Sequence, residues 1–155
     1  MSVVSNSSPI MNLAVVGQVH LLERLYGKVY IPETVWQELS ATGTGLPWAA
    51  VMPILSWLET RSVSNRSLVD LVLLELDKGE VEAISLAMEL KADLLLINER
   101  RGRTVAFRWG LKFIGLWGAL VEGKRKGSVT ALRPILDDVM VTMAFPRRVT
   151  TIPSF

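Results

Sequence analysis

Apolar positions along the chain fall into two kinds of block. Some run continuously or alternate for a few residues, as strands do, and others recur every three to four positions, as helices do. Val3-Val4-Ser5 predicts a short strand, and a helix follows from near Pro9, with Ser8 as its N-cap and Pro9 at its first position. Gly17 punctuates it before a second helical piece with Leu21, Leu22 and Leu25. Residues 27–33, "GKVYIPE", alternate and predict a second strand, and Pro32 opens a helix over "ETVWQELS". Residues 42–47, "TGTGLP", read as a loop, Trp48–Leu55 as helical despite Pro53, and residues 58–64, "LETRSVS", as a weak edge strand. Residues 68–79, "LVDLVLLELDKG", have helical spacing with Gly79 as the stop, and residues 80–90, "EVEAISLAMEL", form the next helix. "ADLLLIN", residues 92–98, predicts a strand buried on both faces. A basic helix over Arg101–Gly110, a strand over Leu111–Leu116, and helices near Trp117–Lys126 and Ser128–Met143 complete the series, with a tail compatible with a short strand.

Strands that alternate with helices imply an α/β fold whose parallel sheet is covered on both faces. In such folds ligands bind outside the carboxyl ends of the strands. The residues just after each strand are therefore the ones to inspect. The length of 155 residues predicts a single domain over residues 1–155, and a hydrophobic share of 50% is enough for its core.

Charge changes the picture. Residues 1–99 hold 6 basic and 12 acidic side chains, whereas residues 100–155 hold 11 basic and 3 acidic, so a net +2 conceals an acidic part and a basic part. A cation site beside a polyanion-binding surface gives this asymmetry, and so do solvated helix faces of opposite sign. The absence of cysteine excludes disulfides and thiolate chemistry, and one histidine leaves little basis for zinc. No basic segment precedes an apolar run at the N-terminus, and the stretch from Leu46 to Leu58 is interrupted by Pro47 and Pro53. A soluble, cytoplasmic protein with no membrane partner is the expectation.

Five residues stand out: Asn6 after the first strand, Asn98 and Glu99 after the "LLLI" strand, Glu38 one helix after the second strand, and Glu80 at a helix start. Glu80 heads a face of Ala83, Ile84 and Ala87 that should pack on the sheet, while Glu82 and Glu89 lie off that face and should be solvated. A carboxylate on a core-facing stripe needs a partner or a metal, although the first turn of a helix also favours Glu for its dipole. Glu38 shares a face with Val35 and Leu39, and a surface role near the helix end fits it as well. Arg100, Arg101 and Arg103 follow the strand-end loop, where arginine can hold a phosphate oxygen, pair with carboxylates, or be solvated. His20 reads as a helix-start or surface residue, and the five tryptophans as packing residues. No GxGxxG, GxxxxGK[ST] or GxSxG pattern is present. Any bound metal should be a hard, oxygen-preferring ion such as Mg²⁺ or Mn²⁺.

The segments "VVSNSSPIMNLA", "VYIPETVWQEL", "LDKGEVEAISLAMELKADLLLINERRGRTVA" and "GLKFIGLWGALVEGKRKG" together resemble the PIN-domain family, and most closely VapC-like toxins of prokaryotic toxin–antitoxin systems. The resemblance implies a three-layer α/β/α sandwich with a central parallel sheet and an acidic cluster at its carboxyl edge that serves Mg²⁺- or Mn²⁺-dependent cleavage of RNA. It places the family's first acid at Asn6, the second at Glu38, the third at Glu80 and the last on the Asn98-Glu99 pair, either of which could face the site. Glu38, Glu80, Glu99 and Asn6 would then be the metal ligands. Ser8 matches the small hydroxyl residue of the first motif, and Arg101 and Arg103 would hold the RNA backbone. RNA, a cognate antitoxin and a second copy of the chain are the implied partners.

Two amides replace acids in this match. A metal-dependent ribonuclease therefore competes with a catalytically weakened module that binds RNA or a protein partner. A receiver-like phospho-acceptor is weaker than either, because it needs an aspartate at a strand end and Asn6 and Asn98 supply none.

Overall fold

The computed structural model describes residues 1–15, 17–41, 55–72 and 76–127, with Pro134 and Asp137. The strands are β1 (Val3–Ser5), β2 (Val29–Pro32), β3 (Leu58–Arg61), β4 (Leu94–Leu96) and β5 (Phe113–Ile114). The helices among these residues are α1 (Ser7–Val15), α2 (Leu21–Tyr26), α3 (Glu33–Ala41), α4 (Arg66–Val72), α5 (Lys78–Glu89), α6 (Arg100–Arg108) and α7 (Leu116–Arg125). The predicted loop over residues 42–47, most of the Trp48–Leu55 helix, the helix over Ser128–Met143 apart from Pro134 and Asp137, and the tail lie outside the described residues.

The strands pair in parallel in the order β3-β2-β1-β4-β5, with Val3 opposite both Val29 and Leu94. Successive strand side chains leave on opposite faces, so a strand inside a covered sheet must be apolar at every position. Val3, Val29, Ile31 and Leu96 pack against Ile10, Leu13, Leu22, Val35, Leu39 and Leu120. Val4, Leu95 and Ile97 pack against Val69, Val81, Ile84, Val105 and Ala106. Thus α1, α2, α3 and α7 cover one face and α4, α5 and α6 the other, which is the three-layer α/β/α sandwich. Gly27 and Gly110 end α2 and α6 with φ of 70° and 76°, where an L side chain is strained. Among the described residues no helix is long and apolar enough to cross a membrane.

Connections run outward from β1 to β2 and β3 on one side and continue through β4 and β5 on the other. The chain therefore reverses its winding between β1 and β4, and the carboxyl edge at such a switch point is where sheets of this kind place their ligand crevice.

Three local expectations are corrected. Helix α1 begins at Ser7, so Ser8 lies inside it and its hydroxyl accepts from the Asn98 amide instead of capping the helix. Gly79 stops nothing. Asp77 occupies the N-cap of α5 and accepts the Glu80 N–H at 3.0 Å, which puts Gly79 and Glu80 in the first turn. Glu82 is not solvated, whereas Glu89 stays partly exposed. Glu82 keeps 6% of its exposure, and Glu89 accepts N–H bonds from Ser64 and Asn65. The sheet covers one side of α5 and the β3–α4 segment covers another, so residues off the sheet-facing stripe are buried too.

Candidate functional site at the carboxyl edge

The crevice is built first from the backbone. The Asn6 N–H donates to Leu96 O at 2.9 Å and ties the end of β1 to the end of β4. Asn6 is 3% exposed, and its Oδ1 has no hydrogen-bond partner among the described residues. The next two residues reach opposite walls. Ser7 Oγ donates to Glu38 Oε2 at 2.8 Å, and Ser8 Oγ accepts from Asn98 Nδ2 at 2.7 Å. Asn98 Oδ1 in turn accepts the Leu116 N–H at 2.8 Å, the first residue of α7. Asn98 is thus a clamp joining α1, β4 and α7, whereas the equally amidic Asn6 presents a buried, unpaired acceptor.

Glu38 reaches the crevice because Val35 and Leu39 anchor the inner face of α3. Its carboxylate lies where a side chain at position 79 would start: a Cβ on Gly79 would sit 1.8 Å from Glu38 Oε1. Glycine in the first turn of α5 is what allows this approach. Desolvation pushes the Glu38 carboxyl up, the Ser7 hydroxyl pulls it down, and the charges of Asp77 and Glu82 push it up again.

Glu80 sits deeper, at 7% exposure, and its Oε2 has no hydrogen-bond partner among the described residues. A second glycine makes room for it, since a Cβ on Gly102 would lie 2.9 Å from that oxygen and 2.5 Å from Ile97 Cδ1. Burial foremost, then the Asp77 side chain and the charges of Glu99 and Glu38, raise the Glu80 carboxyl to about 8. At neutral pH it holds a proton unless a cation supplies the missing charge. Glu99 is exposed at the N-cap position of α6 and acts on Glu80 through space. Arg101 is exposed in the first turn of α6. Arg103 is half-buried, with an Nε enclosed and unpartnered among the described residues.

The structure therefore brings Asn6, Glu38 and Glu80 together at one edge with Glu99 at its rim, and it commits Asn98 and Ser8 to each other. Among the described residues no three His, Asp or Glu side chains gather closely enough to hold a metal ion. Sequence reasoning missed Ser7, Gly79, Gly102 and Asp77. One signal was available, because Asp77-Lys78-Gly79-Glu80 reads as a capping box and so places the helix start at Asp77. The glycines gave none, since each is required by a side chain distant in sequence.

A family model for the PIN domain matches residues 2–146. The chain belongs to the PIN-domain family. No curated protein matches it. PIN domains are in general nucleases that use divalent metals, typically bind RNA and often pair with antitoxins, so this PIN domain has a nuclease-type fold. The donor set of its crevice suits such an ion. All the candidate donors are oxygens, which hard cations prefer. Asn6 Oδ1 and Glu80 Oε2 are buried acceptors without partners, and Glu38 Oε1 lies free of the Ser7 bond, which uses the other oxygen.

Proposed function

We propose that this chain is a Mg²⁺- or Mn²⁺-dependent endoribonuclease of the VapC type, the toxin of a cytoplasmic toxin–antitoxin pair. On this reading one PIN domain spans residues 1–155, works as a homodimer and is inhibited by a small cognate antitoxin. One observation carries the catalytic part. Two carboxylates at the carboxyl edge of the sheet, Glu38 and Glu80, are both pushed up by burial and by neighbouring acidic groups, and Glu80 Oε2 and Asn6 Oδ1 are buried without a hydrogen-bond partner among the described residues. Groups arranged at such cost are characteristic of functional sites.

Glu38 and Glu80 would hold the ion, with Asn6 contributing its amide oxygen and Glu99 a carboxylate at the rim. When bound, the ion activates a water and stabilises charge on the scissile phosphate. Ser7 fixes the rotamer of Glu38 through its 2.8 Å bond. Asn98 and Ser8 hold α1 and α7 at the width of the crevice. Arg101 and Arg103, on α6 beside the site, would hold the RNA backbone. The test compares RNA cleavage with Mn²⁺ for the wild type and Glu80→Gln. Cleavage is expected only in the former, and equal rates would end this reading.

A second reading is favoured by the Asn98 clamp, which removes one family acid from any ligand role. It makes the chain an RNA- or partner-binding module with little catalysis. RNA binding that weakens with salt, without metal-dependent cleavage in the wild type, is its signature.

A further inference from the structure

One buried acid is not used in the reading above. Glu82 is 6% exposed, yet it is not packed as a neutral spacer. Its Oε1 accepts from Arg66 Nη1 at 2.9 Å, and its Oε2 is enclosed without a partner among the described residues. Glu82 stands three residues after Gly79 on α5, and so on the same side of the helix. Gly79 is where the Glu38 carboxylate rests, within 1.8 Å of the position a Cβ would take. Arg66 opens α4, directly after the segment leaving the carboxyl end of β3, and 53% of its side chain is exposed. A guanidinium is thus held from behind by a buried carboxylate, one helical turn from Glu38, with its outer edge towards solvent.

Arginine presents five N–H donors in a planar fork that matches phosphate oxygens; Glu82 takes the Nη1 donor, and Asp70 and Glu89 act on the guanidinium through space. Fixing one edge lowers the conformational entropy lost when the other binds. We propose that Arg66 is a phosphate-binding residue of this site, oriented by Glu82, which receives a backbone phosphate of a single-stranded RNA lying across the crevice from the scissile bond. The inference rests on the reading that the crevice takes RNA, and it names a contact on the acidic side of the molecule, away from the basic α6. If the pair only offset the burial of Glu82, Arg66 would contribute nothing to RNA affinity.

The experiment measures binding of a fluorescent single-stranded RNA with a non-cleavable 2′-modified backbone, in EDTA, across a salt series. Arg66→Gln is expected to weaken binding about threefold to tenfold at 0.1 M salt and to reduce the slope of log K against log[salt] by about 0.7, the value of one phosphate contact on a single strand. Lys112→Gln, at the opposite edge of the sheet before β5, should leave the slope unchanged. If Arg66→Gln unfolds, the double substitution Arg66→Met/Glu82→Leu removes both partners together, so that the buried Glu82 charge is not left unpaired. It should show the same loss of slope. A wild-type slope in either folded variant overturns the proposal, as does a wild type that binds no RNA. Because no metal is present, the two readings fail separately. Mn²⁺-dependent cleavage with an unchanged Arg66→Gln slope removes only the role of Arg66, and an Arg66-dependent slope without cleavage removes only the nuclease.

Discussion

Gly79→Ala separates the site from the fold. In most helices this exchange stabilises by about 0.5–1 kcal/mol, because alanine has less backbone freedom to lose. Here the added Cβ would meet Glu38 Oε1 at 1.8 Å and Cδ at 2.7 Å. Ordinary contact begins near 3.4 Å, so the carboxylate must retreat by more than 1 Å or α5 must shift. The carboxylate is the end of a flexible, half-exposed side chain, whereas the α5 backbone is held by the Asp77 cap and the sheet. The side chain therefore moves. That breaks the charge-assisted bond from Ser7, worth about 1.5–3 kcal/mol, and offsets it with the helix gain and with better hydration of Glu38. Net stability should stay within about 2 kcal/mol of the wild type. Mn²⁺ affinity should fall by roughly 10–100-fold, as when an oriented ligand is displaced. Urea denaturation without metal reads the first quantity, and calorimetric Mn²⁺ titration the second. A folded variant with wild-type Mn²⁺ affinity would refute the placement of Glu38 in the site. A loss of more than about 4 kcal/mol would show that the backbone yields instead of the side chain.

The two amides should respond differently to restoration of the acid. Asn6→Asp adds a charge beside an unpaired buried position, so it should lower metal-free stability by about 1–3 kcal/mol and raise Mn²⁺ affinity at least ~10-fold; Asn98→Asp should change affinity by less than about threefold, and equal gains in the two variants would contradict the clamp. The Glu80 carboxyl, at about 8 in the folded chain against an ordinary 4.5, makes the folded state bind the extra proton between those values. Its contribution is full below about pH 4.5, declines by up to about 1.4 kcal/mol per pH unit, and is gone above about pH 8. Glu80→Gln should flatten that slope in denaturation curves, and an unchanged slope would place the titration elsewhere. Mn²⁺ affinity should rise through the same window, because the ion displaces the proton. Gly102→Ala should destabilise by about 1–3 kcal/mol, since its Cβ would meet Ile97 Cδ1 at 2.5 Å inside the core; a gain in melting temperature would show that α6 has room to move.

Much of this protein was legible in its sequence, because an element's own periodicity records which of its residues face inward. "ADLLLIN" predicted a strand covered on both sides, the strand–helix alternation implied a parallel sheet, the strand-end rule pointed to Asn6, Asn98 and Glu99, and helix faces pointed to Glu38 and Glu80. The lack of cysteine and the single histidine had already narrowed any metal site to oxygen donors. Periodicity does not record what covers an element's other sides. The burial of Glu82 was decided by α4 lying against α5, and the space occupied by Glu38 by its meeting with Gly79, 41 residues further along the chain. The two asparagines are the same residue type, one residue past β1 and two past β4. One is bonded at both its polar atoms to α1 and α7, and the other keeps a buried oxygen unpaired. Side-chain chemistry is local and belongs to the sequence, while the partners that satisfy it, or leave it unsatisfied, come from elements brought together only by folding.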